Sequence, residues 1–174
     1  MTIQLDGSAS ATFATPLPVA QGGSGGVSAA AALINLQASV PAFSAYQTTV
    51  QALAATTLTK LIYQVKEFDL TNAFDIVTNN RFQPLVAGYY QVNGVAQVSS
   101  VSTILLALYK NGLLHRYGTF TATATNNPLT AVNALVLLNG SSDYIELFVT
   151  TSVAGNTSNS SAASYFQAVL VKAT

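Results

Sequence analysis

The sequence has no cysteine, one histidine and little charge of either sign: six lysines and arginines against six acids, 7% of 174 residues. Without cysteine there are no disulfides and no thiolate metal sites. An ordinary globular domain carries about 25% charged residues. Here half of the residues are hydrophobic instead, and such a surface has little to keep copies of itself apart. Extensive burial between copies is the expectation. Lys60, Lys66, Arg81, Lys110, Arg116 and Lys172 are scattered, which excludes the concentrated basic face that nucleic acid requires. No run approaches the roughly 18 apolar residues of a membrane helix. Residues 1–6 lack the basic region and apolar core of a signal peptide. Synthesis in a cytoplasm without membrane insertion is expected.

What is present falls into an appendage and a β-rich body. In residues 1–20, Ile3, Leu5 and Phe13 stand among small polar residues with a period of two. That is too little apolar bulk to fold alone. Gln21-Gly22-Gly23-Ser24-Gly25-Gly26 has no lysine and no phosphate-loop ending, so it is expected to be a flexible hinge. Ser28 is placed to cap a short helix from Ala29 to about Gln37. About ten residues is marginal for a helix in water, so neighbours are needed, and copies of itself would serve.

The joined pattern Leu17-Pro18-Val19-Ala20-Gln21-Gly22-Gly23-Ser24-Gly25-Gly26, then Ser28-Ala29-Ala30-Ala31-Ala32-Leu33-Ile34-Asn35-Leu36, resembles a recurring segment of bacteriophage tail fibres. That segment reads Pro-Leu-x-x-Gly-Gly-Thr-Gly, then an alanine-rich stretch closing on Asn-Leu. Ser24 stands where threonine is usual.

From Pro41 onward the pattern is all-β. Strands are expected at 58–65, 73–78, 89–99, 103–110, 113–120, 129–138, 143–151 and 165–172, with turn signals at regular intervals that imply a sandwich or barrel. Asn111-Gly112 is the clearest tight-hairpin signal, and Asn139-Gly140 is the next. Ala87-Gly88 is expected to be the turn before Tyr89 and Tyr90. The stretch Asn80-Arg81-Phe82-Gln83-Pro84-Leu85-Val86-Ala87-Gly88-Tyr89-Tyr90 is similar to the core signature of C1q-like jelly rolls. So are Pro41-Ala42-Phe43-Ser44-Ala45-Tyr46, the hairpin Leu108-Tyr109-Lys110-Asn111-Gly112, the strand entry Leu138 to Leu147, and the closing Phe166-Gln167-Ala168-Val169-Leu170. Ala168 replaces the usual glycine, and an insertion precedes Asp143. The resemblance implies a C1q/TNF-like jelly-roll sandwich and a homotrimer, not a chemistry.

Candidate chemistry is sparse. His115 lacks a nucleophile elbow, a cysteine or a carboxylate beside it in sequence. Glu67, Asp69 and Asp75 lie close in sequence, as a glycosidase pair or calcium ligands would, and equally as a solvated strand edge would. Neither a cofactor nor a metal set is selected, and no enzyme activity is expected. The strand tyrosines are expected to pack in the core or at an interface.

The expected organisation is an extended virion-docking segment with its hinge at 1–27, a helical collar at 28–40 and a C1q-like domain at 41–174. The expected function is that of a trimeric virion fibre or appendage protein of a bacteriophage. It would dock to a tail, adaptor or capsid protein through Ile3, Leu5 and Phe13 and recognise a host surface glycan or protein. The C1q-like resemblance implies antiparallel first and last strands with both chain ends at the base; the hairpins at 111–112 and 139–142 then lie at that base, and the polar loops at 99–102, 121–128 and 152–164 lie opposite. Thr123, Thr125, Asn126, Asn127, Asn156, Thr157 and Asn159 are then the candidate receptor-binding residues, because amides and hydroxyls pair with sugar hydroxyls without burying charge. The alternatives are a decoration that stabilises the virion without binding a host, and a surface polysaccharide depolymerase, which the dispersion of the acids disfavours.

Overall fold

The computed structural model describes residues 23–37, 40–99, 103–122 and 127–174. The chain divides into two units, 1–39 and 40–174, each described by itself.

The first unit contains α1 (Ala29–Gln37). Ser28 caps it: the Ala31 amide donates to the Ser28 hydroxyl at 3.1 Å, and the Ala32 amide to the Ser28 carbonyl at 2.8 Å. No residue of α1 is buried; Leu33, Ile34 and Leu36 are exposed. Residues 23–26 of the glycine-rich stretch are among the described residues. The Asn35 side-chain amide donates to the Ser24 carbonyl at 3.1 Å, tying the stretch back to the helix. A Cβ on Gly26 would stand 2.3 Å from the Ala32 nitrogen, so the glycine serves close approach.

The described residues of the second unit form a sandwich of thirteen strands: β1 (Ala42–Tyr46), β2 (Ala52–Leu53), β3 (Thr59–Lys60), β4 (Val65–Asp69), β5 (Phe74–Asp75), β6 (Arg81–Phe82), β7 (Ala87–Ser99), β8 (Thr103–Lys110), β9 (Leu113–Ala122), β10 (Leu129–Asn139), β11 (Ile145–Thr151), β12 (Gly155–Thr157) and β13 (Ser164–Ala173). One sheet runs β2-β12-β7-β13-β1-β4, with β10 also on β7; the other runs β5-β6-β11-β8-β9, with β3 on β11. All pairings are antiparallel. The fold is a C1q/TNF-like jelly roll, as expected.

Several short elements correct the sequence reading. The expected strand at 58–65 is β3, four residues outside any strand, and the first residue of β4. The expected 152–164 loop contains β12, which pairs with both β2 and β7. Ala87-Gly88 is not a turn but the start of β7. Gly88 is there because β13 passes close: a Cβ on it would lie 2.4 Å from the Lys172 carbonyl oxygen.

Strand alternation sets the core. Along β7, residues 90, 92, 94, 96 and 98 face inward and are buried, while Tyr89, Gln91, Asn93 and Gln97 face outward. Phe43 is the hub, stacked on Phe74 and Phe82 at 4.6 and 4.5 Å and edge-on to Phe166 at 5.0 Å. Tyr63 and Tyr90 complete the aromatic cluster, and β-branched and leucine side chains from both sheets fill the rest. The Tyr90 hydroxyl donates to the Val86 carbonyl at 2.7 Å; burial of the phenol pushes its pKa up to about 12.

Register fixes two ends. At the base, Ala42 opposes Val169, Ala173 opposes Gly88, and Asn139 opposes Ala87. The 111–112 hairpin joins them: Asn111 donates to Asp143 at 2.7 Å, and Lys110 donates to the Leu137 carbonyl at 2.7 Å. Asn111 and Gly112 both have positive φ, 54° and 75°. At the far end, Tyr46 opposes Tyr165, Leu129 opposes Gln97, Asn156 opposes Ser99, and Thr103 opposes Ala122.

Candidate functional site

The far end carries the residues singled out as receptor contacts. Asn127 is exposed just before Pro128, whose carbonyl accepts the Val98 amide at 3.2 Å and ties this segment to β7. Asn156 and Asn159 are exposed, and the Asn156 carbonyl accepts the Ser99 hydroxyl at 3.2 Å. These three asparagines are therefore held at one end by β7, β10 and β12. Thr157 does not belong with them: it is 1% exposed, and its hydroxyl oxygen accepts the Gln51 amide at 2.8 Å. The period of two along β12 turns Thr157 inward as it turns Asn156 outward. Thr123, Thr125 and Asn126 lie outside the described residues, as do Ile3, Leu5 and Phe13.

The outward face of the seven-stranded sheet was not foreseen as a site, although alternation in residues 89–99 carries the signal. It presents Tyr89 from β7, Leu129, Leu135 and Leu137 from β10, and Val169 and Val171 from β13, all exposed. A polar row crosses it, with Asn133 opposite Asn93, Asn93 opposite Gln167, and Gln167 opposite Ser44.

A second apolar surface adjoins it on β9, where Leu113 (74%), Leu114, Tyr117 (64%) and Phe120 (62%) are exposed. β9 crosses close to β10. A Cβ on Gly118 would meet the Ala131 carbonyl oxygen at 2.4 Å, and the hydroxyls of Thr130 and Thr121 donate to the carbonyls of Thr119 and Leu129. The two apolar surfaces thus meet along one margin of the sandwich.

The titratable groups are mostly engaged in building the fold. Asp69 pairs with Lys66 at 2.8 Å and accepts the amides of Ala73 and Phe74. Asp75 accepts the amides of Val77, Thr78 and Asn79 and the Asn79 side chain; these donors, the Thr78 amide foremost, hold its pKa down at about 2. Lys110 and Asn111 lower that of Asp143 in the same way. Asp69 and Asp75 do not converge into a pair with free oxygens. His115 is half-buried and its Nε2 has no hydrogen-bond partner. Desolvation, then Arg116 and Lys110, lower its pKa, so the neutral imidazole prevails near neutrality. Among the described residues, no group of three acids or histidines is placed to hold a metal, and no helix is long and apolar enough to cross a membrane.

No family model and no curated protein matches the chain. Solved structures do match it. The globular domain of zebrafish complement 1qA is 15% identical, covering 77% of this chain and 99% of that one, with a TM-score of 0.59. Murine APRIL is 9% identical over 76% of this chain and 99% of its own, with a TM-score of 0.61. The Eiger TNF of S. frugiperda is 10% identical, covering 76% and 93%, with a TM-score of 0.61. At these identities the likeness is one of fold.

Proposed function

We propose that the chain is a trimeric fibre or appendage protein of a bacteriophage virion, docked through residues 1–27 and presenting its sandwich for recognition of a host surface. The observation that carries this reading is the polarity of the sandwich. The chain enters at the base through Pro41 and Ala42, so a docked N-terminal segment leaves the opposite end, with Asn127, Asn156 and Asn159, pointing outward. The tail-fibre resemblance of residues 17–36 supports the virion assignment. The trimer is supported by the paired apolar surfaces. Packing the β9 surface of one copy on the sheet face of the next is a head-to-tail contact, which closes into a ring when its rotation permits.

The test replaces 123–126 with Gly-Ser and Asn127, Asn156 and Asn159 with alanine, sparing the buried Thr157. Mass in solution and melting temperature should hold while adsorption to host cells falls. Unchanged adsorption by an intact trimer favours the second reading, a decoration that stabilises the virion without touching the host.

A further inference from the structure

Glu67 stands apart from the other carboxylates of the described residues. Asp69, Asp143 and Glu146 are ion-paired to Lys66, Lys110 and Lys60 at 2.8, 2.8 and 2.9 Å, and Asp75 is enclosed by four N–H donors. Glu67 is exposed and accepts one hydroxyl, that of Ser44, at 2.9 Å.

A break in register places it. Ser44 opposes Phe68 and the next residue, Ala45, opposes Lys66, so Glu67 has no partner across the ladder. Such a bulge re-aims a side chain, and here it brings the Glu67 carboxylate to the Ser44 hydroxyl on the outward face of β1. The Ser44 oxygen in turn accepts from Gln167 Nε2 at 3.2 Å. This relay from Gln167 through Ser44 to Glu67 orients both ends. It leaves Glu67 Oε1 and Gln167 Oε1 as unused acceptors.

One row farther along, Tyr46 and Tyr165 oppose each other across β1 and β13. Both are half-buried, and neither phenol oxygen has a hydrogen-bond partner among the described residues. A turn closed by the amides of Ala163 and Ser164 on the Ser160 carbonyl, both at 3.0 Å, stands Ser161 and Ala162 beside them. Ser44, Tyr46, Glu67, Ser161, Tyr165 and Gln167, with Ala162, enclose a cleft of about 300 Å³. Its acceptors converge beside two aromatic rings, the usual make-up of a small-molecule site. It is lined from β1, β4, β13 and the turn before β13, with β7 between it and the exposed leucines of β10.

We propose that this cleft is a subsite for one neutral sugar residue of a glycan, which deepens the host-surface reading and rests on it. The C–H face of the sugar ring lies against Tyr46 and Tyr165. Its hydroxyls donate to Glu67 Oε1 and Gln167 Oε1, and the phenols and Ser161 serve the remaining oxygens. The cleft binds rather than cleaves, because hydrolysis uses a second carboxylate across the bond and none lines it. A quaternary ammonium ion is the competing occupant, since tyrosines attract cations. The two rings, however, are side by side on one surface, and the serine and amide groups match hydroxyls.

The full-length protein is titrated with methyl hexosides and methyl N-acetylhexosaminides, followed by saturation-transfer NMR and calorimetry, with choline chloride as the cation probe. At least one glycoside should bind. Glu67→Gln, whose amide oxygen can still accept the Ser44 hydroxyl, should weaken it about tenfold, and Tyr165→Ala should abolish it. Leu85→Ala, at an exposed position by the base of the sandwich, should leave it unchanged, and mass and melting temperature are checked for every variant. Absence of glycoside binding by the unaltered protein, equal binding by both cleft variants, or binding of choline in place of sugars each overturns the subsite. Adsorption to cells separates the two ideas. Adsorption undiminished by the cleft variants removes the subsite and leaves the host-surface reading. Glycoside binding at the cleft without any adsorption does the reverse.

Discussion

Asp75 shows how much of this fold is held by short polar side chains bonded to nearby backbone. Its four N–H donors keep its pKa at about 2, below the ordinary 3.8. A carboxyl lowered on folding contributes stability that is fully present above the unfolded value and lost as pH falls through the folded one. The melting temperature should therefore drop as pH is lowered from about 4 to 2, with Asp143, also lowered, adding to the fall. Asp75→Asn should flatten that profile; an unchanged slope in a pH series of thermal melts would count against the role given to Asp75. At Phe43 the determinant is packing. The ring is 1% exposed and contacts three other rings, so Phe43→Ala should cost about 3–5 kcal/mol in chemical denaturation. Residue identity made some of this legible and hid the rest. Tyr89 and Tyr90 are alike in composition, and only strand phase puts one outside and one in the core. Glu67 looked like a member of an acidic cluster, because the bulge that separates it from Asp69 and Asp75 has no signal in one sequence.

Elements with a strong local cause were legible from the sequence. α1 occupies the residues that the Ser28 cap and the alanine run mark out. The Asn111-Gly112 hairpin follows from two positive-φ positions, and the long strands β7 to β11 and β13 from alternation. What escaped was set by partners distant in sequence. β2 and β12 are two and three residues long and exist because β12 pairs with both β2 and β7. Thr157 was misplaced for this reason. Gly88 was read as a turn because glycine signals both turns and close approach, and only the position of β13 decides between them. Gly88→Ala should force β13 outward and destabilise the sandwich by about 1–3 kcal/mol, measured by urea denaturation. A variant as stable as the parent would show that β13 yields without cost. In the helical unit, Asn35 and Gly26 give the tail-fibre-like motif a physical content: the asparagine bonds the Ser24 carbonyl and the glycine admits the backbone.

For the whole molecule, the decisive quantity is apolar surface left open on a chain with few charges. Tyr117→Asp with Leu135→Asp places a charge on each of the two surfaces that meet at the β9–β10 margin. The variant should sediment as a folded monomer while the parent sediments as a trimer. A trimer in both would place the contact elsewhere. Deletion of residues 2–20 should leave the trimer intact and prevent incorporation into particles; particles that still carry the truncated protein would remove the docking role of Ile3, Leu5 and Phe13. The shared base has another consequence. The Pro41 carbonyl accepts the Leu170 amide at 3.0 Å, and Thr174 lies four residues beyond Leu170, about 13 Å of extended chain. A linker of about six residues can therefore join position 174 to position 41, and new termini can be opened at the far end, between 122 and 127. Such a circular permutant should fold to the same sandwich with its orientation on any tether reversed, turning the 111–112 hairpin outward and the asparagine loops inward.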